Sequence, residues 1–175
     1  MDRAGALQAR LSELRQNFDR GFTLALSEQR EETSGLLAIR VGRDAHAVRL
    51  ADVAAVEARC AVTPAPSEHA ELLGVAGLRG AVVAVFDLGA LIGAPGGETR
   101  WLLLAKGAPV AFAFADFEGV LNINSRDVAT APTARGARVR DVVWRDGKPL
   151  PVIDIAGLVG DLEARPRRTK GEDGG

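Results

Sequence analysis

Apolar residues fall along this chain in two rhythms. Near the start, Leu7, Leu11, Leu14, Phe18 and Phe22 recur every three or four positions, the spacing of one stripe on an α-helix. Arg10, Glu13, Arg15, Asp19 and Arg20 fill most of the remaining surface. The pattern predicts an amphipathic helix within residues 4–30, with Gly21 available as a left-handed stop and Ser27–Ser34 as a polar linker. From residue 36 the rhythm shortens. Leu36–Val41, Ala45–Leu50 and Val53–Glu57 read as strands, the first two joined by the turn Gly42-Arg43-Asp44. Pro64 and Pro66 keep Cys60–Ser67 extended or looped, and Glu71–Leu78 reads as a short helical or turning segment. Ala81–Phe86 is a buried-looking strand, and Asp87 opens a short helix, Leu88–Ile92, closed by Gly93 and Pro95.

The chain then repeats itself. Ala-Val-Phe-Asp-Leu-Gly-Ala-Leu-Ile-Gly at 84–93 returns as Pro-Val-Ile-Asp-Ile-Ala-Gly-Leu-Val-Gly at 151–160, so Asp87 and Asp154, Leu91 and Leu158, and Gly93 and Gly160 are all 67 apart. An earlier stretch repeats at an offset of 64, setting Ala47 against Ala111, Leu50 against Phe114, Asp52 against Asp116 and Val56 against Val120. Two copies of a unit this long indicate a duplicated subdomain, because a solenoid needs at least three shorter units. In the second copy Trp101–Ala105, Asp141–Trp144 and Leu150–Ile153 read as strands, the last two joined by a hairpin turn at Asp146-Gly147. Asn124–Gly136 reads as a loop, and the tail from Glu163 onward as disordered.

Composition narrows the function. At 175 residues, 47% hydrophobic and 26% charged, the chain suits one globular domain or two small subdomains sharing a core. A formal net charge of −1, no Tyr and 5% aromatics argue against a nucleic-acid partner. No segment has the length of a membrane span, no signal peptide is visible, and the single Cys60 forms no internal disulfide, so a cytoplasmic protein without direct membrane insertion is expected.

The candidate chemistry is sparse. Asp87 and Asp154 each end a strand and begin a helix, which predicts structural N-caps. The sharper alternative is a symmetric pair of catalytic carboxylates, as in a pseudo-dimeric aspartic hydrolase. That chemistry wants a hydroxyl and a glycine directly after each Asp, where this chain has Leu88-Gly89 and Ile155-Ala156. Gly77-Leu78-Arg79-Gly80 lacks the length and the Lys-Ser/Thr ending of a phosphate loop. Arg79 is either a surface arginine or one held at the subdomain seam. His46, His69 and Cys60 stand in unrelated contexts and form neither a metal-site spacing nor a nucleophile triad. No catalytic residue, metal or cofactor is expected. The N-terminal stripe either folds back on the β domain or binds a partner helix.

One stretch resembles a known family. Leu37–Val56, Thr63-Pro64-Ala65-Pro66 and Leu73-Gly74-Val75-Ala76-Gly77-Leu78-Arg79-Gly80 with the strand ending Asp87-Leu88 look like the CheW domain, echoed more weakly by Gly147–Ile155. The resemblance spans residues 36–162. It implies a mainly β fold of two SH3-like barrel subdomains of the CheW type, intertwined over 35–162 and divided at roughly 35–98 and 99–162. It also implies a non-enzymatic chemotaxis adaptor that couples the cytoplasmic tip of a chemoreceptor (methyl-accepting chemotaxis protein) to the regulatory domain of a CheA-type histidine kinase. Carried over, the receptor-binding groove would include Val53, Gly74, Arg79, Gly80, Val85 and Val120, and the kinase-binding surface Val41, Gly42, Ala55 and Val56. Gly77, Ala84, Gly89, Ala55 and Asp141 depart from the residues usual in the family, which leaves open a regulatory scaffold for another kinase or a motility component.

Overall fold

The computed structural model describes residues 33–58, 60–94, 97–124, 127–130 and 138–165. The amphipathic stripe within 4–30 and the tail beyond Arg165 lie outside the described residues. Eleven strands, two α-helices and one 3-10 turn (Leu50–Asp52) make up the described part: β1 (Thr33–Val41), β2 (Asp44–Arg49), β3 (Val53–Ala58), β4 (Leu72–Leu78), β5 (Ala81–Asp87), α1 (Leu88–Ile92), β6 (Trp101–Ala105), β7 (Val110–Phe114), β8 (Asp116–Asn124), β9 (Val128–Thr130), β10 (Val139–Arg145), β11 (Lys148–Ile153) and α2 (Ile155–Ala164).

The strands form two sheets. One has six strands in the order β8-β1-β2-β11-β10-β9, the other five in the order β3-β6-β7-β5-β4. The repeat explains both orders. If β1 is matched to β6, β2 to β7, β3 to β8, β4 to β10 and β5 to β11, the five-stranded order maps onto the six-stranded one, with β9 added at the edge. Register agrees: β5 and β7 run parallel with Phe86 opposite Phe112, and β11 and β2 run parallel with Ile153 opposite Val48. These are the same two positions, 67 and 64 residues along.

The sheets do not divide at residue 98. The five-stranded sheet is one continuous stretch, β3 to β7, whereas the six-stranded sheet joins β1–β2 from before it to β8–β11 from after it. The halves are therefore interleaved, with β1–β2 and β6–β7 each sitting in the sheet of the other half. Each sheet also curls until its distant strands meet. Arg145 of β10 reaches Glu118 of β8 at 3.3 Å, and Arg79 beyond β4 lies 3.9 Å from Glu57 of β3.

Three apolar clusters hold this together. Ala76, Leu78, Val83, Val85, Leu102, Ala111 and Ala113 fill the five-stranded sheet, and Leu36, Ala47, Val143, Leu150 and Val152 fill the six-stranded one. The largest lies between the sheets and includes Leu37, Ile39, Val48, Phe86, Leu103, Phe112, Ile153 and Leu158. Strand alternation feeds both kinds of core, one residue turning into its own barrel and the next into the shared seam.

Three local readings need correction. Glu71–Leu78 is not helical: Leu72–Leu78 is β4, paired antiparallel with β5. Gly74, Ala76 and Leu78 alternate into the interior, and the glycines obscure a period of two in the sequence. Within the expected loop after Asn124, Val128–Thr130 forms β9 against β10. Helix α2 runs through Ala164, so Glu163 is helical rather than the start of the tail.

Candidate functional site

The proposed contact residues separate by burial. Val53 and Val56 of β3 pack half-buried against the shared core. Val120, the repeat equivalent of Val56, lies on β8 directly opposite the core residue Leu37 and is 54% exposed. Ala55 is half-buried, and Gly42 with φ +60 forms the β1–β2 turn. Val56 faces Leu103 of the shared core, whereas Ala55 faces Leu104, which packs against the five-stranded cluster.

Two of the carried-over residues have no surface to offer. Val85 is 0% exposed inside the five-stranded barrel and Val41 is 2% exposed in the shared core, so neither side chain can touch a partner directly. Gly74 is buried against the backbone of Thr63, with which Val75 exchanges two hydrogen bonds of 2.8 and 2.9 Å. The missing side chain lets the proline loop lie flat on β4.

Arg79 and Gly80 form the β4–β5 turn with φ of 50° and 80°, the left-handed pair of a tight hairpin. The Arg79 side chain is 67% exposed, and its nearest charge is Glu57 at 3.9 Å. Of the two readings left open, Arg79 is the surface arginine. An exposed pair at that distance contributes little to stability.

Asp87 and Asp154 are caps. The Asp87 carboxylate accepts the amide of Ala90 at 3.2 Å, and that of Asp154 accepts the amide of Gly157 at 3.0 Å. The two acceptor geometries are again 67 residues apart. Asp154 also faces Arg140 at 3.4 Å. His46 is buried with Nδ1 3.2 Å from the Asp44 carbonyl, while His69 is exposed. Burial, and then the neighbouring Glu57 carboxylate, push the Cys60 thiol above its ordinary pKa, the opposite of what a reactive nucleophile needs. Among the described residues, no group of three or more His, Cys, Asp or Glu is arranged to hold a metal ion.

A surface cleft of about 760 Å³ is lined by Arg40, Gly42, Arg43, Asp44, Arg100 and Asp116 among others. Its charges are mixed, and Arg40 is already engaged by Glu118. What the sequence did not bring forward is the pair of outward apolar positions at the hairpins. Val82 is 74% exposed and Trp144 is 61% exposed. The repeat relates them only through their partners, since Trp144 falls 67 residues after Gly77, which faces Val82 across the β4–β5 hairpin.

A family model for the CheW-like domain matches residues 35–163, most of the chain. The chain belongs to the CheW-like domain family. Among solved structures, the scaffolding protein TtCheW from Thermoanaerobacter tengcongensis is similar, with a TM-score of 0.65 and 16% sequence identity over 71% of this chain and 91% of that one. At that identity the likeness establishes the shared fold. No curated protein matches the sequence. The CheW-like domain thus accounts for the two interleaved sheets and their shared core. No helix among the described residues is long and apolar enough to cross a membrane.

Proposed function

We propose that this CheW-like domain is a non-enzymatic adaptor in the cytoplasm, coupling the helical tip of a chemoreceptor to the regulatory domain of a CheA-type histidine kinase. The observation that carries this reading is the exposed Val120 standing over Leu37 of the shared core, with Val53 and Val56 half-buried on the other sheet. A scaffold needs apolar rims on a rigid support, and two sheets that share one core supply them. Gly77 and Gly80 leave the β4–β5 hairpin thin enough for a receptor helix to approach its backbone, with Arg79 beside it for a carboxylate. Each contact is expected to be small, gaining strength from repetition in a receptor array.

The test is retention of the full chain by a soluble receptor tip fragment and, separately, by the kinase regulatory domain. Arg79→Glu and Val120→Glu are expected to lose receptor retention while circular dichroism stays unchanged. Failure of the unaltered chain to bind either fragment overturns the reading, as does full binding by both variants.

A further inference from the structure

We infer that the apolar stripe at the start of this chain, Leu7 to Phe22, docks as a helix on its own domain, over the exposed face formed by Leu50 and Val120. The docking does not depend on the receptor or kinase reading; only its consequence for a partner does.

The face is built around the first residues of β1. Val120 on β8 stands opposite Leu37, and Leu37 belongs to the shared core. Gly35 is two residues before Leu37 on the same strand, so it shares that face. Leu50, in the 3-10 turn after β2, leans over Gly35, its Cδ2 only 3.2 Å from where a Cβ would stand. Leu50 is 44% exposed and Val120 54% exposed. β2 and β8 flank β1 on either side, which sets the two side chains about 10 Å apart, two strand spacings. Between them the glycine keeps the strand low. The result is a shallow apolar shelf that continues the shared core outward.

The chain leads its own occupant to that shelf. The described residues begin at Thr33, two positions before Gly35, and the stripe lies outside them. Leu7, Leu11, Leu14, Phe18 and Phe22 form one face of a helix by their spacing. A helix over residues 4–22 is about 28 Å long, enough to cross from β2 over β1 to β8. The connecting residues 23–32 reach up to about 33 Å when extended, ample for the helix to fold back. A tether of this kind holds the stripe at an effective concentration in the millimolar range, so a shallow shelf suffices. Arg10 and Arg15 border the stripe, and Asp52 in the Leu50 turn supplies an acidic neighbour for one of them.

The docked segment is then an internal competitor. It offers Val120 the same kind of apolar helix face that the receptor reading brings from outside. A strap closed about nine-tenths of the time lowers the apparent affinity for such a helix by about tenfold. This consequence rests on the receptor reading.

Pulsed electron spin resonance on the full chain tests the docking, with nitroxides at Gln16→Cys and Ala51→Cys in a Cys60→Ser background. Gln16 lies opposite the stripe and Ala51 is exposed beside Leu50, so both labels avoid the contact. A single narrow distance peak below about 30 Å, the length of the helix itself, is expected. Phe18→Glu and Leu50→Glu should each broaden it while circular dichroism stays unchanged. Excess unlabelled chain should leave the peak in place, because a contact within one chain is independent of concentration. A broad distribution in the parent, a peak that neither substitution moves, or a peak lost on dilution, which makes a second copy the occupant, overturns the inference. A soluble receptor tip fragment should broaden the parent's peak and bind Phe18→Glu about tenfold more tightly. Fragment binding with the peak intact overturns the competition. If neither protein binds the fragment, the receptor reading fails and the peak still decides the docking.

Discussion

Thr63 and Gly74 meet backbone to backbone, so closely that a Cβ on Gly74 would lie 2.0 Å from the Thr63 carbonyl oxygen. Gly74 also holds φ at +145°, a conformation that side chains rarely adopt. The contact pins Thr63, next to Pro64, to the outer edge of β4 through the Thr63–Val75 bridge. It covers an edge that would otherwise be open to another chain.

Gly74→Ala is therefore expected to cost about 3 kcal/mol or more, from backbone strain and the steric clash together. Urea denaturation of the two proteins checks the value. Gly77→Ala, with open space at its Cβ, is the control and should change stability by less than about 1 kcal/mol.

Asp141, 6% exposed on β10, is bonded to Arg49 on β2 across the intervening β11. Arg49→Met should strand a buried carboxylate and destabilise the fold by about 1–3 kcal/mol. Adding Asp141→Val should recover most of that loss, because an apolar pair of similar volume needs no partner charge. Chemical denaturation of the single and double variants measures the coupling.

The two caps should behave alike. Asp87→Ala and Asp154→Ala are each expected to cost about 1 kcal/mol, and the double variant about 2 kcal/mol, while Asn at either position stays close to the parent. The Arg140 contact at Asp154 is solvent-screened and should add little. Thermal melts of the parent and the five variants compare them.

The Glu71 carboxyl is held below its ordinary range of about 4.5, first by a hydrogen bond from its own backbone amide and then by Arg165 at 3.5 Å, with burial opposing both. A depressed carboxylate pKa in the folded state stabilises the fold above the unfolded value and ceases to do so as pH falls through the folded one. The stability gap between the parent and Glu71→Gln should accordingly be widest near pH 7 and shrink on acidification below about pH 4.5. Denaturation midpoints across that range check it.

How much of this was legible in the sequence follows from the kind of signal each part leaves. The duplicated Asp87 and Asp154 motifs were readable because a cap needs one residue type at one place, and both caps are present. The Asp146-Gly147 hairpin was readable for the same reason. β4 was not, since Gly74 and Gly77 replace the β-branched residues that announce a strand. Nor was the nesting of the sheets. Local pattern reports which residues form strands, but β2 meets β11 across more than a hundred residues of chain, and only the shared core decides that pairing. The site was the least legible part. A resemblance transfers positions, not exposure, so Val41 and Val85 arrived with accessible Val120 although both are buried.

The nested order of the strands has a consequence for synthesis. Residues 53–114 contain every strand of one sheet, so that sheet can close soon after it leaves the ribosome. The β1–β2 hairpin, made first, must wait for β8 and β11, several seconds later at the ~5–20 residues per second of translation. During that interval Leu37, Ile39 and Val48 lack the partners that β8 and β11 will supply, and nascent copies emerging close together on one message are the most available substitutes. Truncation after residue 114 should thus leave a hairpin in search of a sheet, and the last segment translated is the one that shelters the first.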